Sequence, residues 1–392
     1  MKNLFSFLFI CLSVLTSCSN NKKSCEKYQA LIDSALVKAG ENNSEILTAL
    51  NNVDDEKKEG MAFLISYMPE WDLKRLNSDF ILNNVNFAYK VKNQYPWCSS
   101  LPDSVFFNEV LPYYNVTENR DDWRENFYNR FSPYVKDCSD IRDAIDSINK
   151  NIRNELLVDY NTKRRASDQG PFESIESSMA SCTGLSILLT DAFRSVGIPS
   201  RFAGTNNWFD NRGNHSWVEV YIDGQWYFTE YYPQELNKSW FAADAAKATI
   251  GDKNHGIFAV SYKPAECYFP VVWDENKNIN AVEVTQRYID VCSYAINKSA
   301  GDSRVKLEIE VYNENGIDKN HNNRVAADLT LFCDGNQVGG GTSCSNKDDL
   351  NNVFYLLVDP NKKYEIVVVY QGKEKRVFSE VLEADKIERI VL

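Results

Sequence analysis

Two segments decide the fold: Ser181-Cys-Thr-Gly-Leu-Ser-Ile-Leu-Leu-Thr-Asp-Ala-Phe-Arg-Ser-Val-Gly-Ile-Pro199, and His215-Ser-Trp-Val-Glu-Val-Tyr-Ile-Asp-Gly-Gln-Trp-Tyr-Phe-Thr-Glu230. In the first, Leu185, Leu188, Leu189, Ala192, Phe193 and Val196 recur at helical spacing, and Gly197 and Pro199 are placed to end the helix. Cys182 therefore stands at a helix N-terminus, where unpaired N–H groups and the positive end of the dipole favour a thiolate. In the second, Val218, Val220 and Ile222 alternate onto one face, and Asp223-Gly224 marks a two-residue hairpin turn. With Ile222 opposite Gln225, Tyr221 faces Trp226, Glu219 faces Phe228, Trp217 faces Glu230 and His215 faces Tyr232. His215 and Glu230 then share a face one diagonal step apart, ~7–8 Å between backbones, which a Glu side chain and an imidazole span. A one-residue slip would send them to opposite faces. A lone cysteine is most often a small buried hydrophobe. A helix-start Cys with a strand His and a neighbouring-strand carboxylate instead forms the set nucleophile, base and orienter.

Cys182, then His215, then an acid at Glu230, resembles the transglutaminase-like superfamily of papain-type thiol enzymes. The resemblance is carried by Ser181-Cys182-Thr183, by Phe193-Arg194-Ser-Val-Gly197-Ile198-Pro199-Ser-Arg201, by Asn214-His215-Ser-Trp217-Val-Glu-Val-Tyr221 and by Gly224-Gln-Trp226. Val110-Leu-Pro-Tyr113 and Leu236-Asn-Lys-Ser-Trp240-Phe241 are similar to segments of exported transglutaminase-like proteins of Bacteroides-type bacteria. The resemblance implies a papain-like α+β core in which Cys182 is the nucleophile, His215 the base and Glu230 the third member. Glu230 stands where the family usually carries Asp, and Ala180 where Gly is frequent two residues before the Cys. The implied chemistry is a Cys thioester formed from an amide, peptide or isopeptide bond, with no cofactor and hydrolysis favoured over transfer. Two alternatives stay open: an inactive module binding peptide or glycan, and a true protein-glutamine acyltransferase. The Cys182 backbone N–H and an upstream side chain, Tyr160 or Gln169, are the expected oxyanion donors. Trp208 and Trp217 are the candidates for a substrate groove; as strand aromatics they suit core packing equally.

The rest of the chain sets the context. It has 392 residues, 43 Lys+Arg against 55 Asp+Glu and a formal net charge of −12. No basic stripe is offered to phosphates, so a nucleic-acid partner is not expected. With three His and no H-E-x-x-H, C-x-x-C or P-loop pattern, no metal site is expected either. Asp274-Glu-Asn-Lys-Asn278 lacks the Gly and Glu of a calcium loop and reads as a polar turn. His255 and His321 read as solvated loop residues.

Residues 1–17 read as a signal peptide, too short in its apolar run to span a bilayer. Leu15-Thr-Ser-Cys18 resembles a lipobox, which implies lipidation at Cys18 and a membrane-anchored, cell-envelope protein, periplasmic or at the outer membrane, acting on peptide, protein or glycopeptide. A tether at 18–43 leads to a helical domain at 44–135, with helices expected over Asp54–Met68 and Asp121–Phe131. The core spans 136–295 and opens with a helix capped by Ser139, with Ile141, Ala144, Ile145, Ile148, Ile152 and Leu156 on one stripe. Ile296–Asp302 reads as a linker. Alternating segments from Val305 onward predict an Ig-like β-sandwich at 303–392. Of the ten cysteines, Cys333 and Cys344 flank Gly339-Gly-Gly341 and are the pair expected to bridge.

Overall fold

The computed structural model describes residues 26–233, 235–274, 277–295 and 303–392. The signal peptide, Cys18 and the 296–302 linker lie outside them. No helix among the described residues is long and apolar enough to cross a membrane.

Four helices frame the core: α1 (Ser78–Gln94), α2 (Arg124–Val135), α3 (Ile141–Leu156) and α4 (Cys182–Ser195). α3 begins one residue later than the sequence suggests. Asp140, not Ser139, caps it, accepting from the backbone of Arg142 and Asp143, because a carboxylate at the N-cap meets two orphan donors at once. The helix expected over Asp54–Met68 is a 3-10 turn, Asp55–Lys57, followed by an α-helix, Lys58–Ser66. α4 is buried along most of its length, and Trp97 of the N-terminal layer donates its indole N–H to Val196 O just past its end. One apolar cluster runs continuously from Tyr28 through Phe127, Leu188 and Val220 to Tyr262. The front helices and the core thus bury one another's apolar faces.

α4 packs on a six-stranded antiparallel sheet. Its strands are β1 (Ser200–Thr205), β2 (His215–Ile222), β3 (Gln225–Thr229), β4 (Ile257–Val260), β5 (Cys267–Tyr268) and β6 (Asn280–Glu283), in the order β3-β2-β1-β4-β6-β5. The β2–β3 register is the one the Asp223-Gly224 turn dictates, with Ile222 opposite Gln225, Tyr221 opposite Trp226 and Glu219 opposite Phe228. Asp223 and Gly224 both have positive φ, as a type I′ turn requires.

The C-terminal region holds β7 (Val305–Tyr312), β8 (Asp328–Cys333), β9 (Asn336–Thr342), β10 (Phe354–Val358), β11 (Glu365–Tyr370), β12 (Lys373–Phe378) and β13 (Lys386–Val391). Sheets β10-β7-β13 and β9-β8-β11-β12 share one apolar core built on Leu307, Ile309, Leu331, Ile366 and Val368. This is the expected two-sheet sandwich, but not in immunoglobulin strand order, which would put the first, second, fourth and fifth strands in one sheet. Here the first strand pairs in parallel with the last.

The expected Cys333–Cys344 bridge is absent: both thiols are free. Gly339-Gly-Gly341 lies inside β9 rather than at the turn, which falls at Asp334-Gly335. Cys333 pairs with Asn336 at the turn end of the ladder, whereas Cys344 follows Thr342 at the far end, opposite Asp328. The glycines are there for packing: a Cβ on Gly341 would run into the Phe354 ring and one on Gly339 would lie 2.9 Å from Leu356.

Candidate active site

Cys182 is the first residue of α4. The side chain of its N-cap, Ser181, accepts from Gly184 N at 3.0 Å and donates to Ser167 O at 2.5 Å. The helix start is thus tied to the preceding loop and its first N–H groups are left to face outward. A second tie, Thr183 Oγ1 to Ser216 Oγ at 3.2 Å, fixes the start of α4 against the start of β2. His215, the first residue of β2, is thereby brought beside Cys182. The Cys182 sulfur, a His215 nitrogen and an Asp349 oxygen all lie within 4.8 Å of one another.

His215 is 2% exposed and held on three sides. Trp240 and Phe241 approach its ring at 4.8 and 5.2 Å between centroids. Its Nε2 is 2.9 Å from Glu230 Oε1, the diagonal contact that the hairpin register predicts. The other oxygen of Glu230 accepts from Ser239, and the Glu230 carbonyl accepts from Asn149 of α3 at 2.6 Å. The longer Glu side chain is therefore pinned at both ends.

The remaining nitrogen, Nδ1, faces Asp349 Oδ2 at 3.3 Å. Asp349 comes from the sandwich, on the loop between β9 and β10. Arg324, itself 1% exposed, braces that loop by donating to the carbonyls of Ser345, Asp349 and Leu350. The same loop is tied to the core by Arg212 Nη1 to Asn351 O (3.1 Å), Asn351 Nδ2 to Asn214 O (2.6 Å) and Leu350 N to the Tyr160 hydroxyl (3.3 Å). Burial alone would lower the basicity of His215. The negative charge of Asp349, with contacts to Cys182 and Glu230, overrides it and holds the imidazolium well above its ordinary range. Burial would likewise raise Asp349, and the charge of His215 overrides it and holds the carboxyl low.

A cavity of about 210 Å3 opens at this point, lined by Tyr160, Cys182, His215, Glu230, Trp240 and Asp349 among others. Tyr160 thus lies in the site, its phenol pushed up by burial. Gln169 does not line the cavity: its amide donates to Ser177 Oγ and Met179 O and holds the loop before α4. Trp208 and Trp217 do not form a groove. They are 1% and 0% exposed and stack on each other at 6.1 Å behind His215: Trp217 points inward from β2, where a covered sheet face must be apolar, and Trp208 packs on it from the loop before β2. Trp240 takes the place expected of them. His255 and His321 are not free in solvent: their Nδ1 atoms meet Trp208 O at 3.0 Å and the Tyr312 hydroxyl at 2.5 Å. Sequence reasoning missed Asp349, Ser239 and Trp240 as site residues. Trp240 and Ser239 had a signal in the Asn237-Lys-Ser-Trp240 segment; Asp349 had none.

Residues 130–231 match the model of the transglutaminase-like superfamily. This part of the chain is a transglutaminase-like domain. The match takes in Cys182, His215 and Glu230, and it ends well before Asp349. Several solved structures are similar to the chain, two of them as follows. A cysteine protease candidate from Cytophaga hutchinsonii is 17% identical, over 49% of this chain and 68% of that one, with a TM-score of 0.28. The Bacillus anthracis TIE protein is 16% identical, over 49% of this chain and 29% of that one, with a TM-score of 0.16. No curated protein matches significantly.

Proposed function

We propose that the transglutaminase-like domain is a thiol enzyme that opens an amide, peptide or isopeptide bond through a Cys182 thioester. The observation that carries this is the alignment of a helix-start cysteine with a buried histidine whose far nitrogen is held at 2.9 Å by Glu230. The Cys182 thiolate, paired with the His215 imidazolium, attacks the carbonyl carbon, and His215 gives its proton to the leaving amine. The α4 backbone N–H of Cys182, with Tyr160 across the cavity, faces the developing oxyanion. Water, with His215 as base, then releases the acid. Glu230 is a positioning residue that fixes the ring and its tautomer.

Hydrolysis is preferred to transfer because the cavity, about 210 Å3 as the 345–352 loop closes it, suits water rather than a protein amine as acceptor. The test is incubation with mixed peptides with and without a primary amine: free acid without amine adducts supports hydrolysis, and amine adducts support the acyltransferase. One observation favours a second reading, the inactive binding module. Asp349 sits against His215 Nδ1 beside Cys182, so a chain whose loop never withdraws would bind without turnover. In that case Cys182→Ala leaves ligand affinity unchanged and no turnover is found in the wild type. The Leu15-Thr-Ser-Cys18 segment supports a lipid-anchored place in the cell envelope, where the substrate would be an envelope peptide or glycopeptide. Palmitate labelling that survives in Cys18→Ser would remove that part of the reading.

A further inference from the structure

We propose that Cys182, His215 and Asp349 form a binding site for a thiophilic divalent cation, zinc above all, which locks the sandwich loop onto the thiol and silences it. His215 Nδ1 and Asp349 Oδ2 face each other at 3.3 Å, yet neither has a hydrogen-bond partner among the described residues. The two atoms attract as an ion pair, but their mutual geometry makes no hydrogen bond. The spacing is that of two ligands on one metal: nitrogen and oxygen at ~2.0–2.2 Å from a tetrahedral zinc stand about 3.3 Å apart. The Cys182 sulfur lies within 4.8 Å of a His215 nitrogen and an Asp349 oxygen, so a rotation of its side chain completes a three-ligand face, and the cavity leaves room for water as the fourth ligand.

The surroundings fit. A zinc-bound histidine characteristically gives its other ring nitrogen to a carboxylate, and Glu230 is there at 2.9 Å, itself held by Ser239. Charge fits as well. Cys182 and Asp349 would bind as anions and His215 as a neutral imidazole. Two anionic ligands and one neutral one then balance the dication, where the metal-free site sets a carboxylate beside the nucleophile. Thiolate and imidazole select zinc, cobalt or cadmium over magnesium and calcium, which prefer all-oxygen sites. The sequence shows no metal-ligand spacing because the ligands come from a helix start, a strand start and a loop of another sheet system.

The inhibitory half of this proposal rests on the thiol-enzyme reading; the binding half does not. The test uses the full chain, stripped with a chelator, in wild type, Cys182→Ser, Asp349→Asn and Glu230→Gln. The expected result is one Zn2+ per chain and affinity lowered about 10–100-fold in Glu230→Gln and at least as much in Asp349→Asn. A sulfur-to-cobalt charge-transfer band should appear in the Co2+ form and vanish in Cys182→Ser. Zn2+, but not Mg2+, should protect Cys182 from iodoacetamide. No binding at micromolar Zn2+, or binding that both Cys182→Ser and Asp349→Asn leave unchanged, overturns the site. Zinc binding with a metal-free Cys182 indifferent to His215 would keep the site and sink the enzyme; His215-dependent reactivity without zinc binding would do the reverse.

Discussion

Two buried charged clusters sit at different points of strand β2. Around Glu219 the balance is complete: Arg201 donates to one carboxylate oxygen at 2.8 Å, and Arg287 and Tyr288 donate to the other. Four residues away, His215 and Asp349 also carry opposite charges, but their facing atoms make no hydrogen bond among the described residues. The first cluster glues α5 (Thr285–Cys292) to the sheet and needs nothing more. The second holds three reactive groups from three elements with room between them. What separates a structural cluster from a site here is not burial or charge but unused hydrogen-bonding capacity.

The sharpest way to break that contrast is Glu219→Ala. It strands two buried arginine contacts and should destabilise the chain by about 3–5 kcal/mol, read by denaturant unfolding; a loss under 1 kcal/mol would make the two clusters alike. The same residue sets an acid limb. Burial would raise its carboxyl, but Arg201 and Arg287 hold it below its ordinary value of 4.5. Its stabilisation is therefore complete above that value and is lost as pH falls through the lowered one. Glu219→Gln should flatten this part of the stability–pH curve.

Next in size is Arg324→Ala. Four hydrogen bonds from its guanidinium to carbonyls of the 345–350 loop disappear, at about 2–3 kcal/mol, and Cys182 becomes easier to alkylate. Asp349→Asn should alter stability by less than Glu219→Ala, because His215 can shed its proton once the facing carboxylate is gone. Its signature is instead a faster Cys182 reaction in metal-free protein. Smallest is Ser181→Ala, which removes the cap of α4 at about 1 kcal/mol and should shift the melting midpoint while leaving the β2–β3 register untouched.

The same contrast explains what was legible. The turn at Asp223-Gly224 fixes register by arithmetic, so the His215–Glu230 contact follows from counting along two adjacent strands. The apolar stripe from Leu185 to Val196 places Cys182 at a helix start by local pattern alone. Asp349 could not be found this way, because it reaches the site only through the packing of a separate sandwich, and no local pattern encodes that docking. Trp217 was ambiguous for a related reason: strand alternation says which face of β2 it occupies, not which layer covers that face. The sandwich showed the same limit. Its strands were visible as alternating runs, whereas the parallel pairing of β7 with β13 and the separation of Cys333 from Cys344 depend on long-range order.

The central claim is that Cys182 and His215 act as one unit. The most direct test is the rate of Cys182 alkylation at neutral pH in chelator-treated protein, read by mass spectrometry of its peptide, in wild type and His215→Ala. Both should be measured in the Asp349→Asn background as well, so that loop closure does not mask the thiol. The account predicts a fast reaction that falls at least about tenfold without His215. An equal rate in all four proteins would contradict it.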